Sequence, residues 1–248
     1  MHRCSPFLSK PVYTAYKFGS AIYLFYWLVV SVQVFNSWTW PLYLTHLSFG
    51  LMVVYFSLSG VNSLRGCSEI TLEMSSQPSD RLDKLQWALQ VTLADSAYVV
   101  SAVYWCFLFN GWLGALNLQI HLANSMFMAL DVFLSSNHFH WRNIWCTYTY
   151  CVVYFVSTLV WWGLGDHTEG SHEIYPFLDY AEAPVSAVLF SLMVAIFVLP
   201  ITHVLNMGLK RLSFIAHHKL AHAGYLSRRE NSAYSALQLS SLNLSDLA

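Results

Sequence analysis

Long unbroken apolar runs dominate the chain, and neither strict alternation nor short helical periodicity interrupts them. Runs free of Lys and Arg lie at 18–36, 42–61, 87–109, 112–134, 144–164 and 184–209, each near the ~20 residues that a helix needs to cross hydrocarbon. Backbone groups have no water to bond to in lipid, so helices rather than isolated strands are expected. The pattern predicts an all-α membrane protein, a bundle of six transmembrane helices grouped as three hairpins. Pro41 marks one tight turn and Asn110–Gly111–Trp112 another, whereas 62–86 and 165–183 are longer polar loops.

Charge orients this arrangement. All twelve Lys and Arg fall at the N-terminus, in the second and fourth connections, or after the last span, while 165–183 carries five carboxylates and no base. The positive-inside tendency places both termini in the cytosol and the acidic loop on the other side. Residues 1–17 form a cytosolic N-terminal segment, 210–222 a basic interfacial helix, and the Ser-rich 223–248 a disordered tail. Within the tail, Tyr234–Leu237 has the form of a sorting signal for a cytosolic adaptor, and Asn243 lies in a glycosylation pattern that the cytosol leaves unused.

Composition narrows the class further. Hydrophobic residues make up 56% and charged residues 10%, far from the balance of a soluble enzyme. A net charge of -1 argues against nucleic acid as a partner. No cleavable signal peptide is recognisable, so the first helix is expected to stay. The five cysteines, at 4, 67, 106, 146 and 151, have no metal spacing, and none lies in the acidic loop; neither a disulfide nor a cofactor is expected. His138 and His140, and the group His217, His218 and His222, lack a carboxylate or thiol to complete a metal site. The expected location is the plasma membrane or an endomembrane, with membrane lipids as the partners.

Candidate chemistry sits where the spans are polar. Asn117, His121, Asn124, Ser125 and Asp131 fall within an arc of about 120° on the fourth helix, opposite Leu122, Phe127, Leu130 and Phe133. Such stripes glue membrane helices together, and they also line sites. Asp95 lies near mid-membrane in the third span, and His121 is the expected partner, in a pair that would orient the imidazole and raise its basicity. Thr45, early in the second span, shares the outer half of the membrane with His121. A hydroxyl beside an oriented imidazole is the least that nucleophilic acyl transfer requires. His46 points about 100° away on the same helix and is assigned to the interface or to a supporting role.

Three patches, "WPLYLTHLSF", "HLANSMFMALDVF" and "HEIYPFLDY", resemble the rolling stone family of multipass membrane proteins associated with myoblast fusion. More distantly they resemble the androgen-induced family of intramembrane hydrolases, which cleave fatty acid esters of hydroxy fatty acids with a threonine and a histidine. That resemblance implies Thr45 as nucleophile and His121, ten positions before Asp131, as base; the buried polar groups add Asp95, Asn124, Asn117 and Asp131 in support. The stretch after His121 lacks the hydrolases' threonines and proline, so the pocket around His121 is expected to differ and the substrate stays open. Two functions stay open: a lipid-ester hydrolase, and a non-enzymatic membrane protein of cell fusion or adhesion-linked signalling.

Overall fold

The computed structural model describes residues 5–37, 39–65, 81–111, 114–165 and 174–222, and among these there is no β-strand. Helix α1 is Lys10–Phe35. Pro11 sits in its first turn, where a missing N–H leaves nothing unsatisfied, and Asn36 ends it in the left-handed region at φ 39°. After a single turn at Trp40–Leu42 comes α2, Leu44–Arg65. Helix α3, Arg81–Leu108, closes with a π turn at Tyr104–Leu108. Helix α4, residues 115–134, carries a π turn at Gln119–Ala123. Helix α5 is Trp141–Leu164, and α6, residues 184–222, holds a third π turn at Val194–Val198. The proposed sorting signal, glycosylation pattern and tail lie outside the described residues.

Five of these helices, all but α4, are long and apolar enough to cross a membrane. Helix α4 is diluted by its own polar stripe. Large apolar side chains such as Phe25, Val152, Leu189 and Phe197 cover the outside, each more than half exposed, as a lipid-facing surface requires. The interior is mixed. Leu24, Phe49, Phe56, Val91, Met128 and Val132 form the apolar core, and Lys17, Gln90, Asp95, Asn124, Asp131, His203 and Asn206 are buried among them with no exposed surface.

Two boundaries differ from the sequence reading. Lys17 belongs to α1 rather than to a flanking segment, and it is fully buried. Residues 210–222 continue α6 without a break, with Lys210, Ser213 and His217 buried, so they pack on the bundle instead of forming a separate interfacial helix. Lys210 donates to the carbonyls of Val132 and Ser135 at the end of α4, where a cation suits the helix dipole. A basic residue was a reasonable marker of a span's end, but here two of them have found partners inside.

The hairpin of α1 and α2 is closely packed. Thr14 and Ser63 are hydrogen bonded at 2.7 Å, and a Cβ on Gly60 would stand 3.0 Å from the Phe18 ring. Small residues let backbones approach in this way. Both ends of the described chain meet, since Phe7 stacks on Phe133 at 5.0 Å and meets His217 edge-on.

Candidate active site

Thr45 lies in the first turn of α2 and is 8% exposed. Two tyrosines hold that turn. The Tyr154 hydroxyl of α5 accepts the Leu44 N–H at 3.1 Å and donates to the Leu42 carbonyl at 3.0 Å. Tyr175, in the connection before α6, brings its hydroxyl beside the Thr45 hydroxyl and the amides of Leu44 and Thr45. Burial raises the Tyr175 phenol above its ordinary pKa, so it remains an O–H donor.

These groups face a cavity. About 460 Å³ of space lies between its walls, part of it open to the outside. Thr45, Tyr104, Tyr154 and Tyr175 supply its hydroxyls, and Val99, Val103, Leu108, Phe177, Phe190 and Val194 are among its apolar walls. Two of the three π turns contribute to it directly, through Tyr104 and Leu108 in α3 and Val194 in α6. The third positions His121, whose ring lies flat on Tyr104 with centroids 3.5 Å apart. Such turns occur mostly at functional places in helices. Here they cluster on one site.

His121 is buried at 7% exposure, and its Nδ1 has no hydrogen-bond partner. Its carbonyl accepts the Ser101 hydroxyl, which also bonds Ser125 at 2.6 Å. Thr45 and His121 share Tyr104 as a neighbour, which lines the cavity with one and stacks on the other, but no hydrogen bond joins them. His46 is buried: it stacks on Trp40 at 4.9 Å, points Nδ1 at the Trp40 carbonyl at 3.1 Å, and meets Phe35 edge-on.

The supporting residues resolve differently from the expectation. Asp95 pairs with His203 of α6, not with His121: Nδ1 is 2.8 Å from Oδ2, Thr147 donates to the same oxygen at 2.7 Å, and Asn206 donates to Oδ1 at 2.8 Å. Depth matching put Asp95 and His121 at compatible levels, but α6 presents His203 on the side that Asp95 faces. Asp131 does not serve His121 either. It forms an ion pair with Lys17 and accepts from Tyr55 at 2.5 Å and Gln90 at 2.8 Å. Asn124 bonds the Ile120 carbonyl of its own helix at 2.8 Å and accepts from Ser125, a local role. Asn117 is half-buried in the first turn of α4.

No family model, curated protein or solved structure matches the chain. Among the described residues, no group of three or more His, Cys, Asp or Glu side chains is placed to hold a metal.

Sequence reasoning missed His203 and Lys17. For His203 a signal was present: His203, Asn206, Lys210, Ser213 and His217 recur every three or four residues, the same helical stripe that α4 shows, and all are buried. Lys17 gave no comparable signal, being one base at the start of an apolar run.

Proposed function

We propose that this chain is a six-span membrane protein of a plasma membrane or endomembrane, with cytosolic termini and a rolling stone-like identity, and that it hydrolyses a lipid ester at Thr45. One observation carries the reading: Thr45 lines a largely apolar cavity together with Tyr154 and Tyr175, its hydroxyl against that of Tyr175. α4 is taken as the sixth span because its polar face is buried while Leu122, Met126 and Leu130 on its outer face are exposed.

In this mechanism Thr45 Oγ1 attacks the acyl carbon. Its proton passes to the unpaired Nδ1 of His121 across a bridging water, and the same proton then leaves with the alcohol. A water molecule attacks the acyl-threonine by the reverse route, and releases the fatty acid. The Tyr175 O–H, whose oxygen accepts the first amides of α2, is the donor for the carbonyl oxygen as it gains charge. Asp95 has no part in this, since His203 holds it. The absence of a Thr45–His121 hydrogen bond favours a second reading, a non-enzymatic protein of cell fusion in which His121 and Tyr104 are packing.

Labelling of membranes with a fluorophosphonate probe separates the two. Thr45→Ala and His121→Ala should each abolish labelling and hydrolysis of long-chain esters at unchanged expression. The double variant should be no worse than either alone, because the pair acts as a unit. Thr45→Ser should retain activity, and His46→Ala should lose much less than Thr45→Ala. Wild-type protein in lipid with no ester hydrolysis above the double variant overturns the hydrolase.

A further inference from the structure

Among the described residues the lining of the Thr45 cavity is uncharged: its side-chain polar groups are the hydroxyls of Thr45, Tyr104, Tyr154 and Tyr175, with no lysine, arginine or histidine. The stretch 174–183, which supplies Tyr175 and Phe177 to the wall, adds Asp179 and Glu182 and no base. Asp179 already accepts the amides of Ala181 and Glu182, both at 2.9 Å. A carboxylate or phosphate drawn into this space would lose its water and find no cation among the described lining residues. An ester carbonyl needs only a hydroxyl donor, and the lining includes Tyr104 and Tyr175.

We propose that the Thr45 cavity binds uncharged lipid esters and excludes acyl lipids whose carboxylate or phosphate must enter with the chain. The proposal rests on the cavity being the substrate site. It differs from what the distant hydrolase resemblance implies, because a fatty acid ester of a hydroxy fatty acid carries a free carboxylate. Selectivity here comes from what the walls lack, since a neutral chain gains from Phe177, Phe190 and their neighbours while an anion has nothing to pair with.

The test uses full-length protein in phosphatidylcholine nanodiscs and three probes with the same diazirine-bearing acyl tail: a methyl ester, the free fatty acid and a lysophosphatidate. Crosslinks are mapped to the peptides that contain 99–108 and 174–178, a readout that needs no turnover. The methyl ester should label these peptides about tenfold more than either anion, as an unpaired buried charge demands. Phe177→Lys should raise labelling by the free acid severalfold and leave the ester probe without gain. Equal labelling by acid and ester in the wild type, or no labelling of these peptides by the ester, overturns the proposal. Ester labelling without hydrolysis overturns the hydrolase and leaves this selectivity intact.

Discussion

His203 bridges two acceptors: Nδ1 lies 2.8 Å from the Asp95 carboxylate and Nε2 lies 2.9 Å from the His140 carbonyl. A neutral imidazole donates from one nitrogen only, so donating to both requires an imidazolium beside the carboxylate. The pair is thus neutral as a unit, which suits its full burial. Nitrogen NMR of histidine-labelled protein in lipid should show one imidazole with both nitrogens protonated at neutral pH, absent in His203→Asn. His203→Ala should cost about 3–5 kcal/mol by leaving a buried carboxylate without its cation. Asp95→Asn should change stability and leave Thr45 labelling per folded molecule unchanged. Loss of labelling in well-folded Asp95→Asn would tie Asp95 to His121 after all.

Lys17 and Asp131 make a comparable pair, joined by the Tyr55 hydroxyl and the Gln90 amide. Lys17→Met strands a carboxylate and should destabilise by about 3–5 kcal/mol. In Lys17→Met/Asp131→Asn the Asn carbonyl still accepts from Tyr55 or Gln90, so the double variant should recover to within about 1 kcal/mol of wild type. Unfolding in mixed micelles measures both, and a double variant as weak as the single would show that the pair is not the cause.

Acid should weaken the fold through His138, in the connection between α4 and α5. Burial first, then nearby Lys210 and His140, lower its pKa to about 4, and its ring stacks on Phe214 at 5.3 Å. The native state keeps the ring neutral, whereas the unfolded chain takes up a proton near pH 6.5. This contribution to stability is complete above about pH 6.5 and declines as the pH falls toward about 4. The unfolding midpoint should drop between pH 7 and pH 5, and His138→Gln should flatten that dependence. An equally steep decline in His138→Gln would place the cause elsewhere.

Topology can be checked with single thiols in a cysteine-free background. Cysteines at Lys84 and Arg142 should react with an impermeant reagent from the cytosolic side, and cysteines at Ser37 and Glu182 from the opposite side. Lys84 and Arg142 reacting from different sides would break the six-span arrangement.

Much of this fold is written in its hydrophobic pattern. Five of the six expected spans recur as helices long and apolar enough to cross a membrane, because the length of an apolar run maps directly onto helix length. The polar face of α4 was legible for the same reason: periodicity fixes which residues share a side. Partners were not legible. Depth along a helix says that Asp95 and His121 lie at similar levels, yet pairing depends on how each helix is rotated, and that is set by contacts such as Gly60 against Phe18. The ends of α1 and α6 were misplaced because counting stops at a base, and Lys17 and Lys210 are bases the interior accepts. The cavity was invisible for a further reason. Tyr104, Tyr154 and Tyr175 come from three separate elements, and π turns leave no mark in composition.

The Lys17–Asp131 contact also constrains how the protein is made. Its two residues are 114 positions apart, so at ~5–20 residues per second a ribosome needs roughly 6–23 s to supply the carboxylate after the lysine has emerged. During that interval α1 carries an unmatched ammonium. The first helix must therefore dwell at the membrane surface, or against the insertion machinery, until the fourth arrives, and its final burial is a late step of assembly rather than the first.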